Sequence, residues 1–459
     1  MVYSSDKQSG MVRGTNPQEE MKVILSYETE MQLMLDFEAA LARAQAALGI
    51  IPQEAADEIR RMAKVEYIDQ RKWEEKTKEI GHPFAAFVRV FKPLCKNDVG
   101  EYFHLGVTSQ DLQDTVHVLR LKRAHRVIYN SLRRIELDAL NLAEQHAGTI
   151  MAGRTHAVHA GPITFGYKMA VWAREIRRHI QRMQECYDRV MVGHVSDAVG
   201  TMASMGEQGP EIERRVLAEL GLGVPDICWQ AARDRQAEFA NLLAIIAGSI
   251  GRLAREVNLL SHTEISEVSE PWEKGKVGSS AMPHKRNPDL SEFMLALTRR
   301  IINNAQPVIE VMMVEHEREL NFWLVEQACM IESLLLMGEL LTYAETMIRG
   351  LLVFPERMRK NLDVLKGLIV SERVMLELGW KIGKQTAYEI IYDHAQGAIS
   401  EEKNFREMLC RDPRIRKHFT EADIDRMLDP ASYIGLAKVM ALDAVRLSRS
   451  ERELDRIFK

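Results

Sequence analysis

Between Gly106 and Gly148 the chain contains neither glycine nor proline. Within that stretch Ile128, Leu132, Ile135, Ala139 and Leu142 recur at alternating spacings of four and three. That period puts one apolar stripe on one side of a helix. A helix over the whole segment is on the order of 60 Å long at ~1.5 Å per residue, too long to hide its stripe without other long helices beside it. Such companions are expected over 167–192, 226–247, 252–270, 289–305 and 308–337. Period-two alternation is scarce, so little sheet is expected. The fold class that follows is all-α, an elongated bundle with coiled-coil-like packing. The 27 Gly and 14 Pro among 459 residues, a low share, agree with it.

The long-helix zone divides the chain into three all-helical regions: 1–106, a central bundle at 107–353, and 354–459. The first twenty residues lack the apolar core of a signal peptide and the bias of a transit peptide. No run approaches the ~18 apolar residues of a membrane span. The five cysteines are widely spaced and form no metal or redox pattern. A cytoplasmic protein with reduced, buried thiols is expected, with no membrane partner. With 61 basic and 66 acidic residues the net charge is −5. That excludes a globally basic nucleic-acid binder while leaving room for a local basic patch.

Three segments interrupt the helical pattern with small polar residues, histidine or lysine. In His104-Leu105-Gly106-Val107-Thr108-Ser109-Gln110-Asp111, Thr108 or Ser109 can cap the long helix. The same hydroxyls and free N–H groups can hold a carboxylate. In Gly153-Arg154-Thr155-His156-Ala157-Val158-His159-Ala160, the two histidines share a face if the segment is helical. The spacing of a zinc pair is absent. The third segment, from Gly275 to Pro288, carries two prolines, two serines, His284 and the cations Lys276, Lys285 and Arg286. Composition alone leaves it either a solvated connector or an anion-gripping loop hinged at Gly275 and Gly278. Asp234 and Glu238 read as a solvated or salt-bridged helix face.

Gly278-Ser279-Ser280-Ala281-Met282-Pro283-His284-Lys285-Arg286-Asn287-Pro288 resembles the signature loop of the fumarase/aspartase superfamily of lyases, GSSxMPxKxNP. Thr108-Ser109 with Asp111 and Asp114-Thr115 is similar to that family's first motif. Gly153-Arg154-Thr155-His156 is similar to its second. The likeness covers roughly residues 24–449 and looks nearest to the adenylosuccinate lyases and the 3-carboxy-cis,cis-muconate cycloisomerases. It implies that Ser279 is the general base and His156 the general acid, with Glu292 paired to His156. Thr108, Ser109, Ser280, Lys285 and Asn287 match carboxylate-binding positions. His104 and His82 resemble further active-site histidines. Arg154, Thr155, Met282, Arg233 and Arg318 complete the implied substrate-binding set, with an open pocket expected near Trp229, Arg233, Arg318 and Trp323.

These roles make chemical sense. Removing a proton beside a carboxylate builds a dianionic intermediate, which a lysine, an amide, hydroxyls and helix N-termini can meet. A carboxylate beside His156 would keep it a ready proton donor. Two departures bear on the substrate. Ala232 stands before Arg233-Asp234-Arg235, where adenylosuccinate lyases carry Gln. His316-Glu317-Arg318 is followed by Glu319-Leu320-Asn321-Phe322-Trp323, without the serine pair those enzymes use on a phosphate. The expected reaction is elimination of an amine from an N-substituted aspartate, releasing fumarate. The alternative is a carboxymuconate cycloisomerase, with C–O chemistry. A third reading, a non-catalytic structural homologue, is opposed by the intact serine, histidine, lysine and asparagine set. The resemblance further implies a small dicarboxylate substrate, no metal or organic cofactor, and a homotetramer with a core of about 20 helices whose sites are shared between subunits.

Overall fold

The computed structural model describes residues 16–273, 275, 278–400 and 403–458. The chain opens with α1 (Pro17–Ile24), α2 (Tyr27–Ala47), α3 (Gln53–Met62), α4 (Gln70–Ile80) and α5 (Pro83–Phe91). Several of their starts carry side-chain caps: Asn16, Ser26, Asp69 and His82 each accept a first-turn N–H, the donors a helix otherwise leaves unmet. Lys276, part of the cationic loop noted above, lies outside the described residues.

The middle of the chain is built on α6 (Ser109–Gln145), a 37-residue helix. A hairpin of β1 (Ile150–Thr155) and β2 (Val158–Thr164) follows it, then α7 (Phe165–Val190), which returns antiparallel along α6. After α8 (Gly209–Leu220), the helix α9 (Asp234–Leu260) runs out again toward the hairpin. The two-residue strand β3 (Val268–Ser269) comes next. Then α10 (Asp289–Glu310) runs back and α11 (Leu320–Arg349) runs out, ending at β4 (Leu352–Val353), which pairs with β3. The direction of each helix is fixed by its contacts. Arg233 at the start of α9 meets Asp114 early in α6, whereas Glu267 beyond its end meets Arg154 in the hairpin.

One apolar core extends from Met21 in α1 to Met358 and takes in Ala441 and Val445 near the end of the chain. The helices α12 (Pro355–Leu362), α13 (Ser371–Ile382), α14 (Lys384–Ser400), α15 (Phe405–Arg411), α16 (Pro413–Arg416) and α17 (Glu421–Leu428) follow. A second core there gathers Val374, Leu378, Phe405, Ile415 and Met427. The last helix, α18 (Ala437–Glu453), returns to the bundle. It is clamped by ions: Arg177, only 1% exposed, meets Glu136 and Asp455, and Arg452 also reaches Glu136.

Four expectations change. Residues 226–247 and 252–270 are not two helices; a single α9 runs through Gly248 and Gly251. The helix expected over 308–337 is interrupted, because α10 stops at Glu310 and α11 starts at Leu320. Between them His316 takes a positive φ of 56°, which a right-handed helix does not allow. Of the five thiols, all free, Cys186 alone is buried. Finally, α9 is long and apolar enough to cross a membrane, by length and composition. Here it packs against α7, α10 and α11.

Candidate active site

The second and third segments lie at one end of the bundle. Residues 153–160 are not helical: Thr155 pairs with Val158, so His156 and Ala157 form the two-residue tip of the hairpin. Both have positive φ, 51° and 66°, the turn conformation that suits strand twist. His156 and Thr155 are exposed there. A non-glycine pair held in this region is costly and often marks a working site. Arg154 is committed below the tip, with both guanidinium nitrogens on the buried Glu267 at 2.9 and 2.8 Å. It anchors the hairpin, and Asn361 adds a bond to the same carboxylate at 2.8 Å.

The loop before α10 has an ordered frame. The Ser279 hydroxyl oxygen accepts the N–H of Ala281 at 3.3 Å and of Met282 at 3.1 Å. Two donors on one oxygen favour its anionic form. The Asn287 amide donates to the Gly278 carbonyl at 3.1 Å and closes the loop. Arg286 lies over the Trp272 ring, 4.8 Å from its centre. Ser280, Met282, His284 and Lys285 are exposed. Glu270, which the sequence did not single out, caps α10 by accepting the N–H groups of Leu290 and Ser291 at 2.9 and 2.7 Å. Glu292 is exposed in the first turn of α10. Among the described residues no hydrogen bond or ion pair joins it to His156 within the chain.

The first segment lies at the other end. Thr108 is the N-cap of α6, and its N–H donates to Asp111 at 3.0 Å. Arg318, delivered by the link between α10 and α11, donates to the Thr108 hydroxyl at 3.1 Å. His104 has a φ of 62°, and the buried Glu38 accepts both its N–H, at 3.1 Å, and its ring Nδ1, at 2.7 Å. The Phe84 ring lies 4.4 Å from the His104 ring, centre to centre. His82 caps α5: its Nδ1 accepts the Ala85 N–H at 3.2 Å. That places the ring proton of the neutral form on Nε2.

His82, Ser109 and Arg318 open onto one cavity of about 580 Å³, walled also by Tyr27, Trp73, Phe84 and Trp323. Sequence reasoning missed His117, Arg120 and Gln327 in the same wall. A signal was there to find them, since Ser109, Gln113, Val116, His117 and Arg120 follow the three-and-four spacing of one helix face.

Arg233 and Trp229 are not in this wall. Arg233 is 1% exposed and donates to Asp114 at 2.8 and 3.0 Å and to Glu326 at 2.9 Å. Trp229 donates to the Gly193 carbonyl at 3.1 Å and is equally buried. The expected pocket around all four residues is therefore smaller, with Arg318 and Trp323 at it and Arg233 and Trp229 in the support beneath. His194 completes that support between Asp111, at 3.0 Å, and Asp114, at 3.2 Å. Burial pulls its pKa down, but the hydrogen bonds and charges of the two carboxylates outweigh this and raise it to about 10.

Thr108 and the hairpin thus cap opposite ends of α6. With 37 residues at ~1.5 Å each, the helix separates them by about 55 Å. Among the described residues, one chain does not bring these two ends together.

Residues 5–303 match a family described as "Lyase", and residues 367–444 match "Adenylosuccinate lyase C-terminus". An N-acetyl-S-(2-succino)cysteine lyase of Dickeya dadantii is 39% identical over 427 residues, covering 93% of this chain and 94% of that protein. An adenylosuccinate lyase of Methanocaldococcus jannaschii is 37% identical, covering 94% of each. The crystal structure of a 3-carboxy-cis,cis-muconate lactonizing enzyme from Pseudomonas putida superposes with a TM-score of 0.88 at 33% identity, covering 94% of this chain and 97% of that one.

Proposed function

The chain belongs to the fumarase/aspartase superfamily of lyases, and we propose that it eliminates a nitrogen- or sulfur-bound leaving group from a 2-substituted succinate, releasing fumarate. The Ser279 oxygen carries this reading, since two backbone N–H groups converge on it in a loop that also bears Lys285. As the alkoxide, Ser279 takes the proton from the carbon beside one carboxylate. The C–H electrons become the new double bond, and the bond to the heteroatom breaks with its pair on the leaving group. His156 supplies that group's proton. Lys285, Asn287 and Ser280 face one carboxylate; Thr108, Ser109 and the N-terminus of α6 face the other.

The working site is then assembled from three chains, one giving the loop, another the hairpin and a third the Thr108 end. Glu292 of one chain pairs with His156 of another. We propose a homotetramer. Its support is the apolar surface left on the long helices: Ile245 of α9 is 51% exposed, Phe293 of α10 50% and Leu324 of α11 53%. Faces of that kind mark interaction surfaces. The relatives with adenylosuccinate and succinocysteine names support the succinyl half of the substrate.

The test is fumarate absorbance on a panel of N- and S-succinyl compounds. Turnover that vanishes in Ser279→Ala, with the fold unchanged by circular dichroism, is the expected result. A second reading, cycloisomerisation of a carboxymuconate, draws on the resemblance in fold to the Pseudomonas enzyme. Carboxymuconate turnover without fumarate from any panel member would transfer the assignment to it.

A further inference from the structure

The cavity at the Thr108 end is lined by several buried polar atoms that have no well-formed hydrogen bond among the described residues. Gln110, His117 and Arg120 are 6%, 3% and 3% exposed, and all three line it. Among the described residues, Gln110 Nε2, Arg120 Nε and Trp323 Nε1 have no hydrogen-bond partner, and His117 and Gln327 have only each other, without a well-formed bond. Buried polar atoms are nearly always paired, and an unmet one is costly. A group of them around one cavity indicates a partner that arrives from outside.

The chemistry of the unmet atoms describes that partner. The nitrogens of Gln110, Arg120, Trp323 and Gln327 are donors only, so the ligand must bring acceptors. Charge is nearly balanced. Arg120 is held by Glu30 at 3.3 Å, Arg318 stands beside Glu319, and burial, followed by the nearby charge of Arg120, keeps His117 neutral by pushing its pKa down to about 3. Such a wall suits amide carbonyls or a single carboxylate better than a phosphate dianion. An apolar part of the wall is made by Met31, Met34, Leu112 and Val116 beside Trp73 and Phe84.

We infer that this cavity is the leaving-group pocket, and that His117, Arg120, Trp323 and Gln327 select a compact, phosphate-free leaving group bearing an acyl amide or a carboxylate. The inference rests on the elimination proposed above. In the balanced step, the heteroatom that leaves with the bonding pair and gains the proton is attached to this group.

Three succinyl probes separate the possibilities: N-acetyl-S-(2-succino)cysteine, a plain alkyl S-(2-succino) thioether, and adenylosuccinate. The expected order of kcat/KM puts the first ahead of the second by about tenfold or more, with adenylosuccinate last. Gln327→Leu and His117→Leu should raise KM for the first probe about tenfold more than for the alkyl thioether. If those variants fail to fold, calorimetry on the native protein replaces them: N-acetylcysteine binds and AMP does not. Adenylosuccinate as the best substrate, equal rates on the two thioethers, or tighter binding of AMP would overturn the inference. Failure of the elimination itself looks different, with no fumarate from any probe while N-acetylcysteine still binds.

Discussion

Glu38 holds His104 twice, accepting its backbone N–H at 3.1 Å and its ring Nδ1 at 2.7 Å. The carboxylate is buried on α2, while the histidine sits on the loop before α6 in a positive-φ conformation. Glu38→Gln replaces one acceptor by a donor facing these groups. A lost bond to a charged partner is worth ~1.5–3 kcal/mol. We expect urea unfolding to show a loss of that size, and kcat/KM to fall with it as His104 leaves its position.

Gly278 lies where the signature loop folds back on itself. A Cβ there would stand 2.3 Å from the Lys285 carbonyl oxygen and 2.8 Å from the Trp272 ring. Gly278→Ala must therefore open the loop and displace Ser279. Turnover should drop by about 10²-fold or more, while the melting temperature stays within a degree or two, because the loop is largely exposed. Unchanged kinetics would show that the loop tolerates a different path.

The separation of the half-sites predicts complementation. Ser279→Ala disables the loop end of a chain and Arg318→Ala weakens the Thr108 end. Each variant alone should be poorly active. Unfolded together and refolded, they should regain activity, because some sites then combine an intact loop with an intact Thr108 end. No recovery in the mixture, with both variants assembled normally by light scattering, would place the whole site within one chain.

Two buried histidines give opposite pH signatures. His194 has a folded pKa raised from 6.5 to about 10. Its contribution is fully present below pH ~6.5 and is lost as pH rises through about 10. His117 is pushed down to about 3 by burial and then by Arg120. Between that value and ~6.5 the unfolded chain binds more protons there, so stability falls as the solution is acidified. Unfolding measured across pH should show a flatter alkaline limb in His194→Gln and a flatter acid limb in His117→Leu.

The long helices were legible because their breakers are absent: the expectation between Gly106 and Gly148 became α6, Ser109–Gln145. Glycine misled the reading elsewhere. Gly251 suggested a break, yet it lies inside α9, where a Cβ would meet Thr298 at 2.7 Å; it lets α10 approach closely. Pro307 likewise sits within α10, and the real break falls later, around His316. The role of Arg233 was hidden for another reason. Its partners Asp114 and Glu326 are 119 and 93 positions away, and a motif beside an arginine says nothing of carboxylates that distant. The hairpin at His156 was not anticipated, because its strands are rich in small residues, with no Asn-Gly at the turn to announce it.

Placing the two halves of a site about 55 Å apart on one rigid helix has a consequence for dose. If the site is shared between copies as proposed, a chain diluted until it separates from them holds only fragments of a catalyst. Specific activity, usually treated as a constant of an enzyme, then becomes a function of how much protein is present. Its decline on dilution measures the strength of assembly with no probe other than the reaction.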